Sequence, residues 1–195
     1  MNKKRILIIA AVAAGALLIG AAIGAVLNYS EDQFDNQALE TLKSTEGRDN
    51  HHAVGGNITD NDLKEIMNAN AGFNDIIRNN EVTVVNFFAS WCDPCKRETP
   101  ALNEYHIEHQ DEPIDIIGVN ISDSDANRDA FLEEFEVQYP VFEFEDEDQA
   151  LADYQVHLMP TTFFVDGEGE IIRAYIGEVS PELVTNYINY VKEAS

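Results

Sequence analysis

The only two cysteines in the 195 residues, Cys92 and Cys95, stand three positions apart in NFFASWCDPCKRETP, residues 86–100. Three chemistries use such a pair: thiol–disulfide exchange, half of a metal site, or a small structural staple. A tetrahedral zinc site takes four ligands, commonly two such pairs, and this chain has no further Cys and no His at suitable spacing. A structural disulfide across two residues closes a tiny loop and removes little unfolded-state entropy. The redox couple is therefore the favoured reading, with no metal and no cofactor beyond the dithiol itself.

What must position such a pair is legible beside it. VTVVNFFA (82–89) is a continuous apolar, β-branched and aromatic run, the pattern of a central strand covered on both faces. A helix is expected from Asp93 to His109, so Cys92 falls where strand gives way to helix. The unpaired N–H groups and dipole of a helix N-terminus stabilise an anion, and the thiolate is the reactive form of cysteine. Pro94 fits the first turn, where its missing N–H has no intrahelical partner to lose. Cys95 lies about one turn on, within reach of a mixed disulfide formed at Cys92. Lys96 and Arg97 add positive charge nearby and Asp93 opposes it.

Around this segment, strands and helices alternate. IDIIGVNI (114–121) reads as a second buried strand, 125–137 as a helix burying Phe131, Leu132 and Phe135, and VFEF (141–144) as strand or loop. Residues 148–156 read as helix, 161–177 as a hairpin around Asp-Gly-Glu-Gly, and 181–193 as a closing helix with Leu183, Tyr187 and Val191 in one stripe. Upstream, Thr59 or Asp60 can cap a helix carrying Leu63, Ile66 and Met67, with Phe73, Ile76 and Ile77 continuing beyond Gly72. The expectation is an α/β domain, a mixed sheet flanked by helices, over 58–195.

The N-terminal end differs in kind. Residues 1–5 form a basic end with Lys3, Lys4 and Arg5, and the 22 residues of 6–27 are apolar or small. As a helix that run is about 33 Å long against roughly 30 Å of bilayer hydrocarbon, and its length exceeds a secretory signal core. An uncleaved membrane anchor is expected, a signal cleaved near Ala22-Ile23-Gly24 being the alternative, with the cationic end in the cytoplasm and the rest outside the cell membrane. Residues 28–57, rich in Asn, Asp, Gln, Gly and Glu, read as a flexible linker, and His51 and His52 as a solvated pair within it. Net charge is −24, and none of the 36 Asp and Glu precedes Glu31. Such a field repels phosphate polyanions, which argues against nucleic acid; it suits solubility in high salt, or docking of a basic partner.

Taken together, VVNFFASWCDPCKRETP, IIGVNI, FEVQYPVFEFEDEDQALADYQV, MPTTFFVDGEGEIIRAYIG and the last helix, covering 82–195, resemble thioredoxin-like proteins. More narrowly they are similar to the membrane-anchored, extracytoplasmic thiol-disulfide reductases of the ResA/TlpA group. The resemblance implies a thioredoxin fold and a Cys92–Cys95 redox disulfide, with Cys92 as nucleophile and Cys95 as resolving thiol. It implies that Pro160 is the cis-proline beside the pair, and that Trp91, Met159, Pro160 and Thr161 contact substrate. Pro100 matches the proline within the active-site helix. Asn86 stands where cytoplasmic thioredoxins keep a buried Asp, and Glu98 matches the reductases' active-site Glu, a proton-exchange group for Cys95. The implied clients are exported proteins such as apocytochrome c, recharged by a membrane electron donor of the CcdA/DsbD type. A thiol oxidase or isomerase is the alternative, and a non-enzymatic binding module is the reading from another class. One departure stands out: the group begins its domain with a β-hairpin, whereas 60–81 here reads as helical.

Overall fold

The computed structural model describes residues 51–60 and 63–194. The expected basic end and anchor, 1–27, and the linker up to residue 50 lie outside the described residues. Among the described residues no helix is long and apolar enough to cross a membrane.

Six strands form one sheet: β1 (Leu63–Met67), β2 (Val82–Phe88), β3 (Ile114–Asn120), β4 (Val141–Phe144), β5 (Thr161–Asp166) and β6 (Ile171–Ile176), in the order β1-β4-β3-β2-β5-β6. β2, β3 and β4 run parallel, while β1, β5 and β6 pair antiparallel to their neighbours. The helices are α1 (Phe73–Asn79), α2 (Asp93–Glu108), α3 (Asp125–Glu134), α4 (Glu147–Tyr154) and α5 (Pro181–Ala194). This is the expected mixed sheet flanked by helices.

Every residue of β2 is buried because the strand is central and both faces are covered. Side chains alternate across it. Val85 and Phe87 join Phe73, Ile76 and Ile77 of α1, Tyr154 of α4 and Phe163 in one core. The opposite face meets the other helices, with Phe88 stacked on Phe131 of α3 at 5.2 Å and Phe164 tilted against Tyr187 of α5 at 4.8 Å. Val184, Tyr187, Ile188 and Val191 are the buried stripe of α5, so Leu183 sits at its margin rather than its centre. Phe135 caps α3 and is half-buried.

Three expectations are corrected. Leu63, Ile66 and Met67 lie in an edge strand, not a helix, because β4 supplies a pairing partner with Leu63 opposite Phe144 and Lys64 opposite Glu143. Lys64 Nζ closes that pair on Glu143 Oε1 at 2.7 Å, a cross-strand contact that a helix would forgo. The helical spacing of three apolar residues was coincident with a short strand. The domain also begins before residue 58. Ala53 is buried, Ile171 N donates to Gly56 O, and Asn57 bridges Glu170 of the hairpin. His51, expected to be solvated, packs edge-on to Phe163 at 5.2 Å and accepts from Ala53 N; burial, then the charges of His52 and His157, lower its pKa. His52 is exposed, as expected.

Candidate active site

Cys92 is the N-cap of α2 and is disulfide-bonded to Cys95, with Cα atoms 5.3 Å apart. Its Sγ accepts from Cys95 N at 3.2 Å, the contact by which a helix N-terminus holds a thiolate. Pro94 occupies the first turn and costs no hydrogen bond. Cys92 is 4% exposed and Cys95 is fully buried, so an incoming sulfur meets Cys92 first. The two cations beside the pair are already engaged: Lys96 faces Asp93 at 3.5 Å and Arg97 faces Glu178 at 2.7 Å. The helix terminus, by contrast, faces the Cys92 sulfur directly through Cys95 N.

The turn leading into α2 is latched from the loop after β3. Asp123 accepts from Ser90 N at 2.6 Å and from Ser90 Oγ at 2.8 Å. Trp91 is 58% exposed yet anchored, its Nε1 donating to Ser122 O at 2.8 Å, while Ser122 N donates to Glu147 of α4. Sequence reasoning missed Asp123, Ser122 and Glu147, whose only local signal is an acidic loop.

The Met159–Pro160 bond is cis. Pro160 enters β5 at the end of the sheet where β2 runs into Cys92, with Thr161 in register with Phe87 on one side and Ile176 on the other. Thr161 is buried and its hydroxyl donates to Leu158 O, so that side chain serves the turn. Met159 is half-buried against the core. Trp91, Leu158 and Ile176 are three large apolar side chains left more than half exposed, all on segments that reach this end.

Below the disulfide lies a buried carboxyl. Glu98 is 1% exposed, three residues after Cys95 and so on the same helix face. Its Oε1 accepts from Asn86 Nδ2 and its Oε2 from Val179 N, both at 2.8 Å. Asn86 also donates to Thr162 Oγ1 at 3.0 Å. Burial pushes the Glu98 pKa up to about 7, against the opposing pull of the Val179 and Asn86 hydrogen bonds, and the charge of Glu178 adds to the rise. The sheet makes room for this group: Gly118, Asn86 and Thr162 are directly paired across β3, β2 and β5. A Cβ on Gly118 would come within 2.9 Å of Tyr139, whose buried phenol feels the Glu98 charge. Thr99 Oγ1 closes the floor by donating to Cys95 O at 2.7 Å. Val179 and Thr162 carried no sequence signal, since one acts through its backbone and the other through its place in the register. Among the described residues no cluster of His, Cys, Asp and Glu has the arrangement of a metal site.

Comparison with known proteins agrees with this geometry. Thiol-disulfide oxidoreductase ResA of Geobacillus thermodenitrificans is 32% identical over 108 residues, 55% of this chain and 62% of the relative. The Bacillus subtilis ResA is 29% identical over the same length, covering 55% and 60%. The chain thus spans less than two thirds of these relatives. Among solved structures, a thiol-disulfide isomerase from Corynebacterium glutamicum superposes with a TM-score of 0.61 at 19% identity, over 72% of this chain and 98% of that one, which shows a thioredoxin-like fold. The sequence matches the AhpC/TSA family over residues 54–174, a span that contains both cysteines, Glu98 and the cis-proline, and the chain belongs to that family.

Proposed function

We propose that this protein is a thiol-disulfide oxidoreductase that reduces disulfides in exported proteins. The observation that carries the reading is a cysteine pair at a helix N-terminus above a buried carboxyl whose pKa is raised to about 7. In the dithiol form, the Cys92 thiolate attacks a client disulfide, forming a mixed disulfide and releasing one client thiolate, which takes up a proton. Cys95 then loses its proton to the Glu98 carboxylate and attacks Cys92 Sγ. The mixed disulfide breaks, the second client sulfur leaves as a thiolate, and the Cys92–Cys95 disulfide is restored. Two electrons pass from protein to client. A carboxyl with a pKa near neutrality both takes and returns a proton at working pH.

Asn86 cannot titrate, but its buried amide has a carbonyl Oδ1 without a partner as well as the N–H on Glu98. A turn of that amide serves the protonated carboxyl as its present orientation serves the ionised one. Trp91, Leu158 and Ile176 provide apolar surface for a client segment, with the Met159–Pro160 backbone beside it.

The anchor expected at 6–27 supports an extracytoplasmic site on the cell membrane. Similarity to the ResA oxidoreductases supports the thiol–disulfide chemistry; apocytochrome c as a client and a membrane electron donor of the CcdA/DsbD type are proposed from the resemblance to the ResA/TlpA group. The test is Cys95→Ser in the full chain, which stalls mixed disulfides on Cys92 for identification. Exported thiol proteins among them, with a reduction potential below about −200 mV, support the reductase; a potential near −120 mV overturns it in favour of an oxidase.

A further inference from the structure

Two consecutive residues of α2 are tied to two consecutive residues of the loop between β6 and α5. Arg97 Nε and Nη2 both reach Glu178 Oε2, at 2.8 and 2.7 Å, and the next residue, Glu98, takes the N–H of the next, Val179. The loop has few other holds. Gly177, at φ 124°, a conformation open to glycine, turns the chain so that its N–H meets Pro160 O at 2.8 Å. Ser180 caps α5 through Leu183 N and Val184 N. Val179 is buried, whereas Arg97 and Glu178 lie at the rim with side chains 59% and 41% exposed.

We propose that Arg97 and Glu178 are positioning residues for Glu98: their ion pair clasps the 177–180 loop onto α2, keeping the Val179 N–H on the carboxylate and water away from it. The proposal rests on the reading of Glu98 as the proton-exchange group. The charged and titratable groups acting on that carboxyl are Glu178 from the loop and Tyr139 from the segment before β4; on α2, Cys95 stands three residues before it and Arg97 pairs with Glu178. Asn86 and Thr162 face it from the sheet and are neutral. Burial is the larger cause of the raised Glu98 pKa and the Glu178 charge a smaller one. Opening the clasp admits water, and removing the Glu178 charge acts in the same direction. Both lower the pKa; loss of the Val179 hydrogen bond raises it and exceeds the effect of the Glu178 charge, so the net fall rests on the relief of burial, the largest cause.

The test uses Arg97→Ala, Glu178→Gln and the reversed pair Arg97→Glu with Glu178→Arg. Amide exchange of Val179, followed by NMR at low salt, is expected to quicken about two- to fivefold in both single variants and to return to the parent rate in the reversed pair. In Glu178→Gln the pH midpoint of mixed-disulfide resolution is expected to fall by up to about 0.7 unit. Unchanged Val179 exchange in the single variants overturns the clasp. Faster exchange with an unmoved midpoint overturns the positioning role. Glu98→Gln separates the two readings: if it shifts the profile while the clasp variants do not, Glu98 keeps its role and only this inference fails. If Glu98→Gln leaves the profile unchanged, the proton-exchange reading itself has failed.

Discussion

Asn86 on the central strand donates an amide N–H to the Glu98 carboxyl on the active-site helix at 2.8 Å, and both side chains are buried. The pair joins the strand that delivers Cys92 to the helix that carries Cys95. It also holds the carboxyl proposed to exchange a proton beneath the disulfide.

Glu98→Gln removes the titration. The folded-state pKa, about 7, lies above the ordinary 4.5. The native state therefore binds the proton more tightly, and this group's contribution to stability is full below about pH 4.5 and lost as pH rises through about 7. Across that window the parent is expected to lose about 3 kcal/mol that Glu98→Gln does not. Urea denaturation of the oxidised proteins at pH 4.5 and pH 8 measures it; parallel stability curves would refute a buried titrating carboxyl.

Asn86→Leu removes a hydrogen bond that favours the ionised carboxyl. The pH midpoint of mixed-disulfide resolution is expected to rise, opposite in sign to Glu178→Gln. A midpoint that falls or stays would show that Asn86 does not hold the carboxylate.

Reduced protein is expected to alkylate at Cys92 on the order of tenfold faster than at Cys95, because only Cys92 combines exposure with the helix terminus. Cys92→Ser abolishes exchange, while Cys95→Ser retains the first step. Peptide mapping after brief iodoacetamide treatment decides between the two sulfurs.

Asp123→Ala strips the Ser90 amide and hydroxyl of their acceptor. A loss of about 1.5–3 kcal/mol is expected for these charge-assisted contacts. Trp91 is the chain's single tryptophan, so its fluorescence reports whether the turn has loosened; unchanged emission and stability would remove the latch.

Gly118→Ala places a methyl 2.9 Å from Tyr139 and 3.1 Å from Phe88. Overpacking of this kind costs about 1–3 kcal/mol. Thermal unfolding measures that cost, and a Tm equal to the parent would show that Tyr139 yields freely.

How much was legible follows from how far each feature reaches along the chain. Cys92, Pro94 and Cys95 declare a redox pair at a helix start because capping, proline tolerance and a spacing of three are properties of one turn. The runs 82–88 and 114–120 declare buried strands because coverage on both faces leaves them mostly apolar, with Thr83, Asn86, Asp115 and Asn120 the exceptions. Leu63–Met67 misled because an edge strand this short shows no clear period, and its partner β4 lies about 80 residues on. The start of the domain near Ala53 was hidden for the same reason, since its contacts are with the distant hairpin. Glu98 and its proton-exchange role were expected from the resemblance, but the rise of its pKa to about 7 was not legible. Desolvation and the donors Asn86 and Val179, the latter 81 residues away, exist only once α2, the sheet and the loop before α5 close on one another. The residues alone placed Cys92 at the start of the helix and Cys95 one turn on. The packing decided where the proton rests, because burial is a property of what surrounds a group.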